Sequence, residues 1–304
     1  MLVEANARQG DRGETEYSAH SGNCYTRAMS QTSTGYVMGH DDRERRRLSL
    51  QASILNPLSD QLLRRAGLSA GLRVLDIGCG VGELSMVAAR LVGPGGHVTG
   101  LDIDEGALAI AAARAREARL DHIEFRQGNV AEYRTDATYD AVIGRHILIH
   151  TPDPRVIVGM ARSLLRPGGV AVFQEYDFSV VHRPFPEAPL CERMFEIFRL
   201  FFAKVTHGNI GTQLFHVFTE AGFSSPHCRV EYPMDGGADS PFYEWVAESF
   251  RSIMPRAEAL GVVRSDEVAG VDSLAARLKE EATSRRGCVP GPAMVGCFAR
   301  KPSA

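Results

Sequence analysis

The sequence predicts an α/β protein in which a mainly parallel β-sheet is covered by helices on both faces. Two observations predict it. Between about residues 68 and 180, five short apolar runs alternate with helix-length segments. Strands that alternate with helices join through right-handed crossovers and build a parallel sheet. The chain also has the substance for a sizeable core, with 304 residues of which 44% are apolar. A chain of this length buries about 75% of its unfolded surface.

The elements follow in order. Residues 1–22 are polar and rich in Gly, Ser and Glu, and they read as a mobile tail. Residues 23–67 form an N-terminal segment that turns helical from Asp41, with apolar positions at Leu48, Ile54, Leu55, Leu58, Leu62 and Leu63. Pro57 is expected to open a second helix there, and Gly67 to stop it. The core at 68–180 begins with the strand LRVLDIG and the helix ELSMVAARLVG, stopped at Gly93. The strand GHVTGLDID and the alanine-rich helix EGALAIAAARAREARL come next, the helix supported by intrinsic propensity. HIEFRQGN is the third strand and YDAVIGRH the fourth. DPRVIVGMARSLLRPGG is a helix with its stop, and VAVFQEYD is the fifth strand. Residues 181–304 begin with Pro184, Pro186 and Pro189, then an aromatic helix, TQLFHVFTEAGF as another and SPHCRVEYP as a strand. SPFYEWVAESFRSIM and DEVAGVDSLAARLKEEAT are the last helices, and PAMVGCFARK is the last strand. Length alone allows two domains at about 150 residues each.

Composition excludes several classes. There are 34 Lys+Arg against 37 Asp+Glu, a formal charge of −3, which argues against general polyanion binding. No run approaches about 18 apolar residues, so no membrane span is expected. The N-terminus has no signal-type apolar run, so a cytoplasmic location is expected. The six cysteines (24, 79, 191, 228, 288, 297) are scattered without a C-x-x-C pair and read as reduced thiols. No His/Asp/Glu set has metal-ligand spacing, so no metal is expected.

The sharpest local feature is Asp76-Ile77-Gly78-Cys79-Gly80-Val81-Gly82, between a strand and a helix. Glycines let the backbone turn tightly and let a ligand lie against the main chain. Amides at the helix start then face the crevice. The dinucleotide fingerprint needs a glycine one place later, where Glu83 stands, and no G-K-[ST] follows to make a phosphate loop. Asp76 beside the loop opposes a pyrophosphate and suits an amino or sulfonium group. Asp102 ends the second strand 20 residues after Gly82, placed to accept from both hydroxyls of a ribose. The alternative for Asp102 is a helix N-cap, but Asp104 is the better cap.

These pieces, in this order, resemble the class I S-adenosylmethionine (SAM)-dependent methyltransferases. VLDIGCGVGELS is similar to their first motif, LDID to the second, QGNV to the third and YDAVIGRHILIH to the fourth. LLRPGGVAVFQE is similar to the stretch before their fifth strand. The resemblance covers about residues 70–180 and is nearest to the small-molecule branch of quinone-biosynthesis and natural-product enzymes. It implies a Rossmann-like, seven-stranded sheet with an antiparallel last strand, and two late strands near 226–233 and 292–301 fit that count. It implies a SAM-binding core at 68–180, an N-terminal helical lid at 23–67 and a substrate-covering helical insertion after the fifth strand.

The resemblance also implies roles. Gly78, Cys79 and Gly80 would approach the methionine part of SAM, with Asp76 near its amino group. Asp102 would hold the ribose, Ile103 would pack on the adenine, and Asn129 and Val130 would meet the adenine edge. Asn129 stands where Asp is usual, but its amide oxygen can still accept from the adenine amino group. Arg145 and His146 would lie near the transfer centre. Tyr36 could close the site, or only anchor a linker, and Gln51 could reach the cofactor.

Candidate bases stand at strand ends, where ligands bind in such sheets. They are His146, His150 and Glu175, with Asp177 reading as a turn residue and His182 opening the aromatic segment. His146 has the alternative of a packed core residue, and His150 that of a turn cap. Arg43, Arg45, Arg46 and Arg47 read as a solvated helix face. Phe195, Phe198, Phe201 and Phe202 have helical spacing and fit a core. As a pocket wall with Met194, Trp245 or Phe250 they would favour a small apolar or aromatic acceptor. The alternatives are an NAD(P)-dependent oxidoreductase and a non-methylating SAM-binding scaffold. Nucleic-acid methylation is disfavoured, since no Pro-Pro-Tyr type motif follows the fourth strand. The N-terminal helices and aromatic segment offer surfaces for a homodimer.

Overall fold

The computed structural model describes residues 42–180, 183–264, 266 and 270–303. The tail at 1–22, the segment 23–41 with Tyr36, and His182 lie outside the described residues.

β1 (Arg73–Ile77) carries Val74, Leu75 and Ile77, all fully buried. An apolar run of this kind suits a strand covered on both faces. It is an inner strand, third in a seven-stranded sheet of order β3-β2-β1-β4-β5-β9-β6. β2 (His97–Asp102), β3 (Ile123–Gln127), β4 (Tyr139–Arg145) and β5 (Leu165–Asp177) run parallel to it. β9 (Ala293–Arg300) lies antiparallel between β5 and β6 (His227–Glu231). The expected late strands are therefore β6 and β9. A small ribbon of β7 (Met234–Gly236) and β8 (Cys288–Pro290) was not legible in the sequence.

The crossover helices are α2 (Glu83–Val92), α3 (Glu105–Glu117) and α4 (Pro154–Leu164). Asp104 caps α3 by accepting the Ala107 N–H at 3.0 Å, the role the sequence assigned to it. Asp153 caps α4 through the Arg155 N–H, with Pro154 at the first helical position. On one face Leu84, Val87 and Leu91 of α2 pack on Val74, Val98, Ile143 and Val172. On the other, Phe173 meets Phe218 of α6 (Ile210–Glu220) edge-on, ring centroids 6.0 Å apart. α5 (Pro189–Val205), α7 (Phe242–Ala259) and α8 (Leu274–Ser284) complete the chain.

α1 (Asp42–Ala66) differs from expectation. It is one helix of 25 residues with Pro57 inside it, not two helices. Pro57 removes one N–H bond to the Ser53 carbonyl. Burial of Leu55, Leu62 and Leu63 on both sides of the proline holds the helix through it. α7 likewise continues through Pro255. The arginine run is not a uniformly solvated face either. Arg47 is only 3% exposed, and Arg43 pairs with Glu248 of α7. A charged side chain enters a core only when polar partners come with it, and Gln51, one turn on, accepts from Arg47 at 2.7 Å.

α1 lies close on the sheet because β9 has a glycine beneath it. A Cβ on Gly296 would stand 2.6 Å from Leu62 Cδ2. Gly296→Val should therefore lower unfolding stability by about 1–3 kcal/mol, the usual cost of overpacking, as measured by urea denaturation. The same substitution should leave helix content in circular dichroism near that of the parent.

Candidate active site

The sheet order reverses at β1 and β4, and such a switch point opens a crevice at the carboxyl ends of the strands. The glycine turn lines it. Gly78 has φ 68° and Gly80 φ 51°, conformations that favour glycine. A Cβ on Gly78 would lie 2.6 Å from Ile147 Cδ1, so glycine is needed for the β4 loop to approach. A Cβ on Gly80 would meet nothing within 4 Å, so its main chain is open towards a ligand. The Gly78 and Cys79 amides donate to the Leu101 carbonyl at 2.8 and 3.1 Å. Cys79 is buried, and burial pushes its thiol up.

Two carboxylates flank the turn. Asp102 Oδ2 accepts the Gly80 N–H at 2.8 Å and Oδ1 accepts the Asp104 N–H at 3.0 Å. A carboxylate offers about four lone-pair positions, so both oxygens can still accept. Asp76 is 1% exposed, and Ser85 Oγ donates to its Oδ2 at 2.6 Å. Its Oδ1 is buried with no hydrogen-bond partner among the described residues. Burial pushes this carboxyl up to about 7, against the pull of the Ser85 hydroxyl and Arg145.

The adenine side departs from expectation in one respect. Ile103 is 70% exposed, an apolar side chain standing in the open. Asn129, however, spends its amide oxygen on the Ala131 N–H at 3.0 Å, capping the short turn Val130–Glu132. The oxygen expected to meet an adenine amino group is thus engaged locally, which leaves the amide NH2 for a ligand. Val130 is half-buried beside it.

At the end of β4, Arg145 Nη1 donates to Asn56 Oδ1 at 3.0 Å and to Ser59 Oγ at 2.9 Å. Ser59 Oγ donates to Gln174 Oε1 at 2.6 Å. Asn56 Nδ2 donates to Glu83 Oε2 at 3.2 Å, and Glu83 also pairs with Arg114. Arg145 is thus tied to α1, and burial lowers its pKa. Gln51 accepts from Arg47 at 2.7 Å, a contact within α1. Asn56, Ser59 and Gln174 were missed in the sequence. Their one signal was polarity inside otherwise apolar elements, most plainly Gln174 in VAVFQEYD.

His146 follows, at φ 57°. Its N–H donates to the Gln174 carbonyl at 3.0 Å and its ring stacks on Tyr176 at 4.0 Å. Its Nε2 is buried with no partner among the described residues. Burial, then the Arg145 guanidinium, holds its pKa well below the usual imidazole range. His150 is exposed at the end of the turn Leu148–His150.

Glu175, expected as a base, is fully buried with both oxygens committed. Oε1 accepts from the Ile147 and Leu148 amides at 3.1 and 2.8 Å, and Oε2 from the Ile149 amide at 3.3 Å. Burial pushes it up to about 8 while the three amides pull it down. This is the geometry of a loop anchor. Asp177, read as a turn residue, accepts from Ser179 and from the Thr212 N–H at 2.6 Å, so it also holds the start of α6.

Beyond β5 lies a small cavity of about 20 Å³ lined by Asp177, Phe178, Val180, Phe195, Pro290, Gly291 and Pro292. Of the expected aromatic wall only Phe195 borders it. Met194, Phe198, Phe201, Phe202, Trp245 and Phe250 are buried in the core, where stacking and apolar burial hold them. Phe178 stacks on Phe202 at 4.2 Å and lies 5.5 Å from Tyr176, so one aromatic series runs from His146 to the cavity. Among the described residues no three His, Cys, Asp or Glu side chains could hold a metal ion, and no helix is long and apolar enough to cross a membrane.

A family model described as a methyltransferase domain matches residues 68–222. The ubiquinone biosynthesis O-methyltransferase of Acinetobacter baumannii (strain ACICU) is 38% identical over 122 residues, 39% of this chain and 50% of that protein. The demethylmenaquinone methyltransferase of Lactococcus lactis is 32% identical over 137 residues, 45% of this chain and 52% of that protein. The chain spans about half the length of the curated relatives it matches. Among solved structures, phosphoethanolamine N-methyltransferase 2 of Haemonchus contortus aligns with TM-score 0.53 and 21% identity, over 81% of this chain and 52% of that one. The [4+2]-cyclase SpnF aligns with TM-score 0.50 and 20% identity over 82% of each chain. At those identities the structures speak for the fold. With the family model over more than half of its length and the ordered motifs on this sheet, the chain belongs to the methyltransferase-domain family, the class I SAM-dependent methyltransferases.

Proposed function

We propose that this protein transfers a methyl group from SAM to a small, uncharged, apolar or aromatic acceptor. The observation that carries the reading is the buried, unpartnered Asp76 Oδ1 beside the open main chain of Gly80 and the aligned Asp102. The residues fit the cofactor. Asp76 suits its ammonium group, Asp102 its ribose hydroxyls, Ile103 its adenine face and Asn129 the adenine edge through the amide NH2. When bound, SAM supplies a methyl already activated on a sulfonium. The protein has to align the acceptor and exclude water. An acceptor that loses a proton also needs a base. His146 supports that role because its ring is held neutral and its Nε2 is unpartnered. Glu175 acts as a positioning residue through the 147–149 amides.

The small hollow beside Phe178 and Phe195 supports the acceptor class through its largely apolar wall, and an acceptor needs it to widen. Its one charged group, Asp177, is fully engaged, and no cationic side chain lines it. An anionic acceptor would have to leave water without a counter-charge there. The reading includes a cytoplasmic setting and a homodimer, the latter checked by sedimentation at working concentration. Glu83, at the place of the third fingerprint glycine, is held by Asn56 and Arg114, which counts against a nicotinamide cofactor.

Three outcomes are expected. S-adenosylhomocysteine should bind the parent by calorimetry, and Asp102→Ala should weaken it at least about 10-fold, since a charge-assisted bond contributes about 1.5–3 kcal/mol. No binding by the parent overturns the reading, and unchanged binding by the variant removes Asp102 from it.

The second outcome concerns protons. A carboxyl at about 7 is partly protonated at slightly acid pH. An ammonium against it favours the carboxylate, so its pKa falls and binding releases a proton just below pH 7. Calorimetry in buffers of different ionisation enthalpy should record that release in the parent and lose it in Asp76→Asn.

The third outcome is turnover. Label should pass from methyl-labelled SAM to uncharged phenols in preference to their carboxylated counterparts, and a non-methylating scaffold would pass none. With a phenol, His146→Ala should lower kcat at least about 100-fold. A base with a depressed pKa stays neutral into acid, so the parent's rate should hold through pH 6.5 and fall only below it.

A further inference from the structure

Cys228 and Cys297 are 69 positions apart in the chain, yet β6 and β9 place them directly opposite each other in the antiparallel register. Their Sγ atoms are 2.9 Å apart. Directly opposed residues in antiparallel strands have Cα atoms about 4.5–5.5 Å apart, inside the span a disulfide requires. The two thiols differ in setting. Cys228 is exposed on β6, the last strand of the sheet, whereas Cys297 is fully buried on β9. Among the other described cysteines, Cys191 and Cys288 lie near enough for Cys288 to raise the Cys191 thiol. Cys79 and Cys191 are buried, and Cys288 is half-buried in the small ribbon.

We propose that Cys228 and Cys297 form a thiol–disulfide exchange site, oxidised by low-molecular-weight disulfides of the glutathione class and reopened by thiols. Cys228 is the entry point because solvent reaches it. Its thiolate attacks one sulfur of the small disulfide, forming a mixed disulfide and releasing one small thiol. Cys297 then loses its proton and attacks the Cys228 sulfur, forming the Cys228–Cys297 bond and releasing the second small thiol. Two protein thiols are oxidised and one small disulfide is reduced to two thiols. The contact with Cys297 lowers the Cys228 thiol, and contact and burial raise Cys297, which supports that order. The product bond ties the end strand of the sheet to its neighbour and closes a long loop, which restricts the unfolded chain. The inference is independent of methyl transfer.

The test treats the full chain with oxidised glutathione. The peptide Gly287–Arg300 contains both Cys288 and Cys297, so Cys288→Ser serves as the background. Expected are the loss of two titratable thiols, a cross-linked pair of peptides carrying Cys228 and Cys297, a higher thermal midpoint, and reversal by dithiothreitol. Cys297→Ser should instead stop at a glutathione adduct on Cys228. Cys228→Ser, a change at an exposed position that should not disturb folding, should form neither cross-link nor adduct. A persistent adduct on Cys228 with Cys297 present would overturn the proposal, as would a cross-link mapped to other cysteines or no thiol loss at either position.

Discussion

The candidate site depends on one buried carboxylate. Glu175, at the end of β5, gathers the amides of Ile147, Leu148 and Ile149. That fixes the turn after β4, which in turn presses Ile147 against Gly78 and sets His146 on the Tyr176 ring. The glycine turn and the His146 turn are therefore held against each other at the point where the strand order reverses. Burial favours the neutral form of Glu175, and three amide donors on two oxygens are what make the position tenable.

The same strand ends hold several more buried polar groups, and most are satisfied. Arg145 is held by Asn56 and Ser59, Asp177 by Ser179 and Thr212, and Gln174 by Ser59. Asp76 Oδ1 and His146 Nε2 lack a hydrogen-bond partner among the described residues. Buried polar atoms are rarely left so, and both of these stand where ligands bind in sheets of this kind. The polar network also gives α1 its place. Through Asn56, Ser59 and the close packing of Leu62 on Gly296, a helix outside the family match is joined to the core it covers.

Much of the core could be read directly. The strands from LRVLDIG to VAVFQEYD were legible because burial on both faces leaves a run of apolar residues between turn signals. The Asp104 cap was legible because a cap acts within one helical turn. Asp76 and Asp102 stood out because their distances from the glycines are set by a strand and a helix of fixed pitch. Pro57 misled, since a local rule for proline does not include the burial of Leu55 and Leu62. Arg47 misled in the same way, because nothing in its neighbours announces a buried environment. Asn129 and Glu175 were legible as positions, but the amides that occupy their oxygens come from turns whose shape is not written locally.

What the sequence by itself determined is the set of signals that act over a few residues: strand, glycine turn, cap, and the order of motifs that marks the family. Only the tertiary structure decided which polar groups are spent and which are left open. It spent both oxygens of Glu175 on the 147–149 amides and left Phe178 and Phe195 as the aromatic side chains of the small cavity. It also brought Cys228 to Cys297 across two strands. The physical reason is common to all three. A hydrogen bond, a cavity wall or a thiol pair depends on where distant segments meet, and burial decides its energy only after they have met.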